Sequence, residues 1–361
     1  MNTVILYGGR SGEHEVSLAS AASVLRHLPP SHEPTLIGID RDGVWYLQPP
    51  RAVEKARGGS GPLEILKDES RVAAAVPGRG LALLSGDPIP ADVVLPVLHG
   101  TFGEDGTVQG LLETAGLAYA GADVLGSAVA MDKEVSKALW ARAGLPVPPF
   151  RTVRAADLEP ARFEVLRSDL EASFGYPMFA KPACAGSSVG TSKIDNSAGL
   201  LPALRSALEW GSKALVEPFL QARELECSVV GNGEPTAYPP GEIVSSHEFY
   251  DYEAKYVDPD GARLLIPAPV PAEISRLVMD IAVRAYKLAA LSGMARIDFF
   301  LDRKDGSVYL NEANTIPGFT HISMFPKMCE AGGLPYPELL DLLARLGIER
   351  KRERDGIRYT R

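Results

Sequence analysis

The residues best able to do chemistry together lie between positions 295 and 314, where ARIDFFL and SVYLNEAN flank the run Arg303-Lys304-Asp305-Gly306. Two β-prone runs about a Gly-containing turn predict a β-hairpin. With a side-chain period of two, Arg296 and Asp298 share one face of the first strand, and Glu312 and Asn314 one face of the second. Pairing 298 with 312 also pairs 296 with 314 and centres the connection on Asp305, so all four side chains can converge. Two carboxylates and an amide oxygen make a hard-oxygen set suited to Mg²⁺ bound to phosphates, and the arginine adds a cation for developing negative charge. The alternative is a solvated hairpin face with an ordinary salt bridge, since exposed antiparallel faces are commonly charged. Asn314 runs into Thr315-Ile316-Pro317-Gly318, a turn whose backbone N–H groups could face a reacting centre.

A second candidate is KPACAGSSVG, residues 181–190, which sets a lysine at a strand end before a Gly/Ser loop. Small residues let backbone amides approach phosphate oxygens, though a plain surface turn would look the same. The loop is neither a Walker A sequence nor G-x-G-x-x-G. Lys133 opens a helix after the first domain, a position that is by default solvated.

These groups must be carried by elements that the apolar pattern outlines. Residues 4–7, 35–39 and 93–98 predict buried strands, and 16–28 a helix stopped by Pro29-Pro30. Residues 49–62 look like loose surface. A helix over 131–143 ends at Gly144 before LPVPPF, which reads as a hinge stiffened by Pro146, Pro148 and Pro149. Strands follow at 178–181 and 214–217. The irregular stretch 238–266 exceeds ordinary loop lengths, and its aromatics favour a lid. The expected organisation is α/β in three domains: 1–126, 127–218 and 219–361.

The 361 residues, 45% hydrophobic and 23% charged, suffice for more than one core. A net charge of −9 argues against nucleic-acid and anionic-membrane partners and for small molecules. No run approaches the roughly 18–20 apolar residues of a membrane span, and the start MNTVILYGG has no basic region with a cleavage site, so a cytoplasmic location is expected. Cys184, Cys227 and Cys329, odd in number and widely spaced, suit neither a disulfide framework nor a zinc site.

In order along the chain, GGRSGEHEVSLAS, LHGTFGEDGT, MDKEVSK, KPACAGSSVG, EFYDYEAKY, ARIDFF and NEANTIPGFTHIS resemble the successive motifs of the D-alanine:D-alanine ligases, from residue 8 to residue 323. The hairpin motif is shared by ATP-grasp enzymes generally, whereas EHEVS, HG-x-x-GEDGT and YDYEAKY are more specific. The resemblance implies a three-domain ATP-grasp architecture with an N-terminal Rossmann-like α/β domain, and ATP held between the second and third domains. It implies cytoplasmic ligation of two D-alanine molecules through an acyl phosphate, for peptidoglycan precursors, and a homodimer. Two Mg²⁺ ions, with Mn²⁺ as a substitute, would sit on Asp298, Glu312 and Asn314.

By the same resemblance Lys133 and Lys181 would hold ATP phosphates, Glu217 and Leu220 would border the adenine, and Glu224 would bind the ribose. Glu13 would bind the ammonium of the first D-alanine and join Ser187 and Tyr256 in a hydrogen-bonded set, with His99 near that substrate. Lys255 and Ser323 would hold the carboxylate of the second D-alanine, and Arg296 with the Gly318 amide would stabilise the tetrahedral oxyanion. Cys184-Ala185 departs from the polar or charged residues of some family members, which leaves detailed loop contacts open. Tyr256, where a histidine would favour an ester product, points to the dipeptide. Rival readings are a D-alanine:D-lactate or D-alanine:D-serine ligase, a non-catalytic nucleotide-binding sensor, and a nicotinamide oxidoreductase, the last lacking its glycine fingerprint.

Overall fold

The computed structural model describes residues 1–245 and 262–359. Strand β1 (Asn2–Gly8) leads through α1 (His14–His27) to β2 (Glu33–Ile39). Then come β3 (Trp45–Leu47), α2 (Pro50–Gly58), β4 (Val72–Val76), β5 (Gly80–Leu83), β6 (Pro88–Ile89), β7 (Val93–Val97) and α3 (Thr107–Thr114). These strands form one seven-stranded sheet ordered β6-β5-β4-β3-β2-β1-β7. β1 runs parallel to both β2 and β7, and such a central parallel strand is covered on both faces. Accordingly Ile5 and Tyr7 pack in one core with Leu18, Ala21 and Leu25 of α1, whereas Val4 and Leu6 pack in another with Val108 and Leu112 of α3. That covering explains why residues 4–7 are apolar without alternation.

Helices α4 (Val124–Met131) and α5 (Lys133–Arg142) come next. A four-stranded sheet, ordered β10-β9-β11-β8, is built from β8 (Arg151–Val153), β9 (Met178–Pro182), β10 (Ser192–Ile194) and β11 (Ala214–Pro218). Helices α6 (Pro160–Ser173) and α7 (Ser197–Leu208) supply Leu170, Leu200 and Leu204 to its core. The third sheet contains β12 (Ala222–Val230), β13 (Thr236–Ala237), β14 (Gly241–Ser245), β15 (Ala262–Leu265), β16 (Met294–Asp302) and β17 (Val308–Asn314). It is covered by α8 (Ala272–Leu288), and the described chain closes with α9 (Met324–Ala331) and α10 (Tyr336–Asp355).

Three local expectations change. The helix expected over 131–143 is α5 but starts two residues later, at Lys133, because Asp132 turns extended and its carboxylate accepts the Glu134 and Val135 N–H groups as the cap, while Met131 ends α4. The surface stretch 49–62 contains α2, which buries none of its residues. Both ends of the stretch 238–266 are paired strands, since β14 and β15 lie antiparallel. Residues 246–261, on which the lid expectation falls, lie outside the described residues.

Candidate nucleotide and amino-acid site

The hairpin pairs as the alternation requires: Arg296 lies opposite Asn314 and Asp298 opposite Glu312. Beyond Asp298 the register slips, so that Phe299 pairs with Leu310 and Asn311 is left without a cross-strand partner. An extra residue in one strand re-aims side chains, and here Asn311 and Glu312 both line the same cavity. The Arg296 guanidinium grips Asp298 with Nε 2.7 Å from Oδ1 and Nη2 2.6 Å from Oδ2. Its Nε also lies 3.2 Å from Glu226 Oε2, on the neighbouring β12. The Asn314 amide nitrogen donates to Asp298 Oδ2 at 2.9 Å.

Facing the hairpin across a cavity of about 550 Å³ are β9, β11 and the loop after β9. Lys133, Lys181, Ser187, Glu217, Leu220, Glu224, Arg296, Asp298 and Glu312 all line it. Lys133 Nζ lies 3.1 Å from Glu312 Oε2 and donates to the Ala185 carbonyl at 2.8 Å, tying helix α5 to both the hairpin and the Gly/Ser loop. Burial pulls the Lys133 ammonium down, but Glu312 outweighs it and holds the group above the ordinary lysine range. Behind the cavity wall, fully buried Lys137 pairs with Glu217 Oε1 at 2.8 Å, while Lys181 pairs with Oε2 at 2.9 Å. Burial pushes the Glu217 carboxyl up, yet Lys137 and then Lys181 hold it below the usual carboxylate range. Burial brings Lys137 itself down to about 8.

Glu13, His99, Asn314, Gly318 and Ser323 stand outside this lining. Glu13 joins it through Ser187, whose hydroxyl donates to Glu13 Oε1. Ser187 and Ser188 hold φ of 49° and 58°, a left-handed pair in the loop segment that reaches Glu13. Gly100, at φ 73°, leaves room for Glu13, because a Cβ there would sit 2.5 Å from Oε2. His99 is buried between Ser20 Oγ at 3.0 Å and the Ile316 carbonyl at 2.9 Å, and burial depresses its pKa. Glu104, absent from the sequence-derived set, accepts the Gly100 N–H at 3.0 Å and the Ile316 N–H at 2.8 Å. It clamps the turn before Gly318 to the first sheet. Burial, and then Glu13, pushes its carboxyl up to about 7. Ser323 Oγ accepts the Thr320 N–H at 2.9 Å, and a Cβ at Gly318 would meet that oxygen at 2.6 Å, so glycine keeps the turn closed. Lys255 and Tyr256 lie outside the described residues.

Two carboxylates and nearby amide oxygens on one hairpin face fit a divalent cation. Among the described residues His, Cys, Asp and Glu form no cluster of three, so such a site depends on asparagine oxygens to complete it. Lys133 and Arg296 already sit at these carboxylates as their counter-ions.

Two sheets closing on a cavity with lysines on one wall and a carboxylate hairpin on the other form the ATP-grasp fold, that of nucleotide-dependent ligases. The family profile described as D-ala D-ala ligase N-terminus matches residues 2–122, and that for the D-ala D-ala ligase C-terminus matches residues 139–345. A D-alanine–D-alanine ligase of Treponema denticola is 47% identical over 355 residues, covering 97% of this chain and 96% of that protein. One from a Thermoanaerobacter species is 46% identical over 359 residues, with 97% of each chain covered. Among solved structures, the D-alanine-D-alanine ligase from Coxiella burnetii superposes with a TM-score of 0.84 at 34% identity, covering 98% of this chain and 97% of that one. The VanG D-Ala:D-Ser ligase from Enterococcus faecalis gives 0.81 at 34% identity, covering 96% and 99%. The chain belongs to the D-alanine–D-alanine ligase family.

Proposed function

We propose that the protein joins two D-alanine molecules into D-alanyl-D-alanine, consuming one ATP, for peptidoglycan precursor synthesis in the cytoplasm. The observation that carries this reading is the meeting of Lys133, Lys181, Arg296, Asp298 and Glu312 around one cavity, with Glu13, at the start of α1, joined to it through Ser187. A carboxylate is a poor electrophile, so the first D-alanine attacks the γ-phosphorus of ATP through a carboxylate oxygen and ADP leaves. Lys133 and Lys181 offset phosphate charge during that transfer. The second amine then attacks the acyl carbon, and the tetrahedral adduct collapses as its C–O bond to phosphate breaks. Arg296 and the Gly318 amide are assigned to the adduct's oxyanion.

In this scheme Glu217 and Leu220 border the adenine and Glu224 the ribose. Glu13 takes the first ammonium with His99 close by, Lys255 and Ser323 take the second carboxylate, and Tyr256 completes the Glu13–Ser187 set. Asp298, Glu312 and Asn314 would hold two Mg²⁺ ions, or Mn²⁺ in their stead, which would neutralise phosphate charge when bound. The division into 1–126, 127–218 and 219–361 and a homodimeric assembly belong to the same proposal. Among the described residues no helix is long and apolar enough to cross a membrane.

The test is ADP release with D-alanine, L-alanine, D-lactate and D-serine, with mass analysis of the products. D-Serine belongs in the panel because identity to the VanG enzyme equals that to the Coxiella ligase, at 34%. D-Alanyl-D-alanine as the dominant product is expected. No ADP release with D-alanine, or a dominant mixed product, overturns the assignment.

A further inference from the structure

Lys137 reaches neither the cavity nor the solvent, yet it carries a charge on the buried face of α5, which also holds Ser136 and Trp140. A methionine or leucine would fill such a slot without the desolvation cost of an ammonium, so the charge calls for a reason. Its surroundings supply one. Lys137, Glu217, Lys181 and Asn311 form a closed ring: Nζ of Lys137 and Nζ of Lys181 take separate oxygens of Glu217, at 2.8 and 2.9 Å. Asn311 Oδ1 lies 3.2 Å from Lys181 and 3.5 Å from Lys137. Glu217 is the one member at the cavity wall that can only accept hydrogen bonds, and only while it is ionised.

We propose that Lys137 is a specificity-determining positioning residue, fixing Glu217 as an ionised, oriented acceptor and thereby selecting a 6-amino purine nucleotide over a 6-oxo one. This rests on the reading above that Glu217 borders the base. A 6-amino group presents a donor to the carboxylate. A 6-oxo group presents an acceptor, which the carboxylate repels but which a protonated acid or an amide would satisfy. Without Lys137, one oxygen of a buried carboxylate loses its counter-charge. The group then either takes up a proton or swings wholly onto Lys181, and in both cases the acceptor edge is lost. The depressed Glu217 pKa, set by Lys137 ahead of Lys181 against burial, accords with this division of labour.

The experiment compares kcat and KM for ATP and ITP in the full-length protein, following phosphate release and dipeptide by mass. The variants are Lys137→Met, Lys137→Gln, Glu217→Gln and the Lys137→Met/Glu217→Gln double substitution. Lys137→Met and Glu217→Gln should each lower the ATP-to-ITP ratio of kcat/KM by about tenfold or more, the size expected when a charged hydrogen bond at the base is lost. The effect should fall chiefly on KM, and the double variant should be no less selective than Glu217→Gln alone. Should the methionine variant fail to fold, Lys137→Gln, shorter and still polar, carries the same expectation. If Glu217→Gln lowers the ratio while the Lys137 variants keep the wild-type ratio, Lys137 is only structural and the proposal is overturned. If Glu217→Gln itself leaves the ratio unchanged, the placement of Glu217 at the base fails, and the proposal with it.

Discussion

Arg296→Lys separates the two jobs that the hairpin arginine is assigned. The guanidinium spends Nε and Nη2 on Asp298, at 2.7 and 2.6 Å, and this fork leaves Nη1 for a developing oxyanion. Lysine keeps the positive charge, so Asp298 and Glu226 are not left as uncompensated buried anions, a loss worth about 3–5 kcal/mol when a buried pair is broken. A single ammonium cannot hold Asp298 in a two-point grip and reach the adduct as well. Removing one oxyanion donor costs about 2.7–4 kcal/mol, equivalent to about 10²–10³ in rate. The retained charge places the expectation at the lower end, about a 100-fold fall in kcat for dipeptide formation. Because the tetrahedral adduct forms only after phosphoryl transfer, the first half-reaction should suffer less. Positional isotope exchange in ¹⁸O-labelled ATP, run with D-alanine, should stay within about threefold of wild type while dipeptide output collapses, a gap of at least one decade of rate. If exchange and dipeptide formation fall together, Arg296 acts through Asp298 and the charge balance at the phosphates rather than at the oxyanion. If neither changes, it has no part in the reaction.

Glu312→Gln should lower kcat by about 100-fold or more at saturating nucleotide, since it removes the charge proposed to hold a metal ion together with the counter-ion of Lys133. Activity near wild type at ordinary Mg²⁺ would remove Glu312 from the metal-holding set. Glu104, with its folded-state pKa raised to about 7, contributes stability that is fully present below its ordinary carboxylate range and is lost as pH rises through about 7. Glu104→Gln has no such titration, so its stability relative to wild type should rise by about 3 kcal/mol from pH 4.5 to pH 8, whatever constant offset the changed hydrogen bonds impose. Thermal melts of both proteins across that range check it, and a pH-independent difference in Tm would refute it. Tyr256→His should shift products towards the D-lactate ester at low pH, where an imidazolium repels the ammonium of the amino-acid acceptor. The preference should return to the dipeptide as pH rises through about 6.5. A dipeptide-to-ester ratio equal to wild type at every pH would show that residue 256 is not the selector.

The parts of the site that the sequence made legible are those governed by a local period. Alternation alone puts Arg296, Asp298, Glu312 and Asn314 on one hairpin face, and the strand pairing agrees. What it passed over is the slip beside Asp298, although the buried Leu310 and Ala313 are three residues apart where strict alternation requires two. That extra residue brings Asn311 to the cavity. Glu226 could have been found the same way, because Glu224, Glu226 and Ser228 alternate with the fully buried Leu225, Cys227 and Val229. Lys137 was missed for a different reason. It lies four residues after Lys133, on the same helical face, but lysines on helices are solvated so often that spacing carries little weight without the elements around them.

Contacts between sheets are a further step removed. The Glu13–Ser187 bond spans 174 residues, and the pairing of Lys137 with Glu217 joins a helix to a strand of another sheet, so no local period encodes either. The first was accessible only through resemblance to other proteins. The second had no such help, and it marks where inter-sheet residues can be sought in a sequence: at a charged side chain on a helix whose neighbours Ser136 and Trp140 are themselves fully buried. A charge in that position cannot be solvated, so it must have an opposite charge reaching it from elsewhere in the fold.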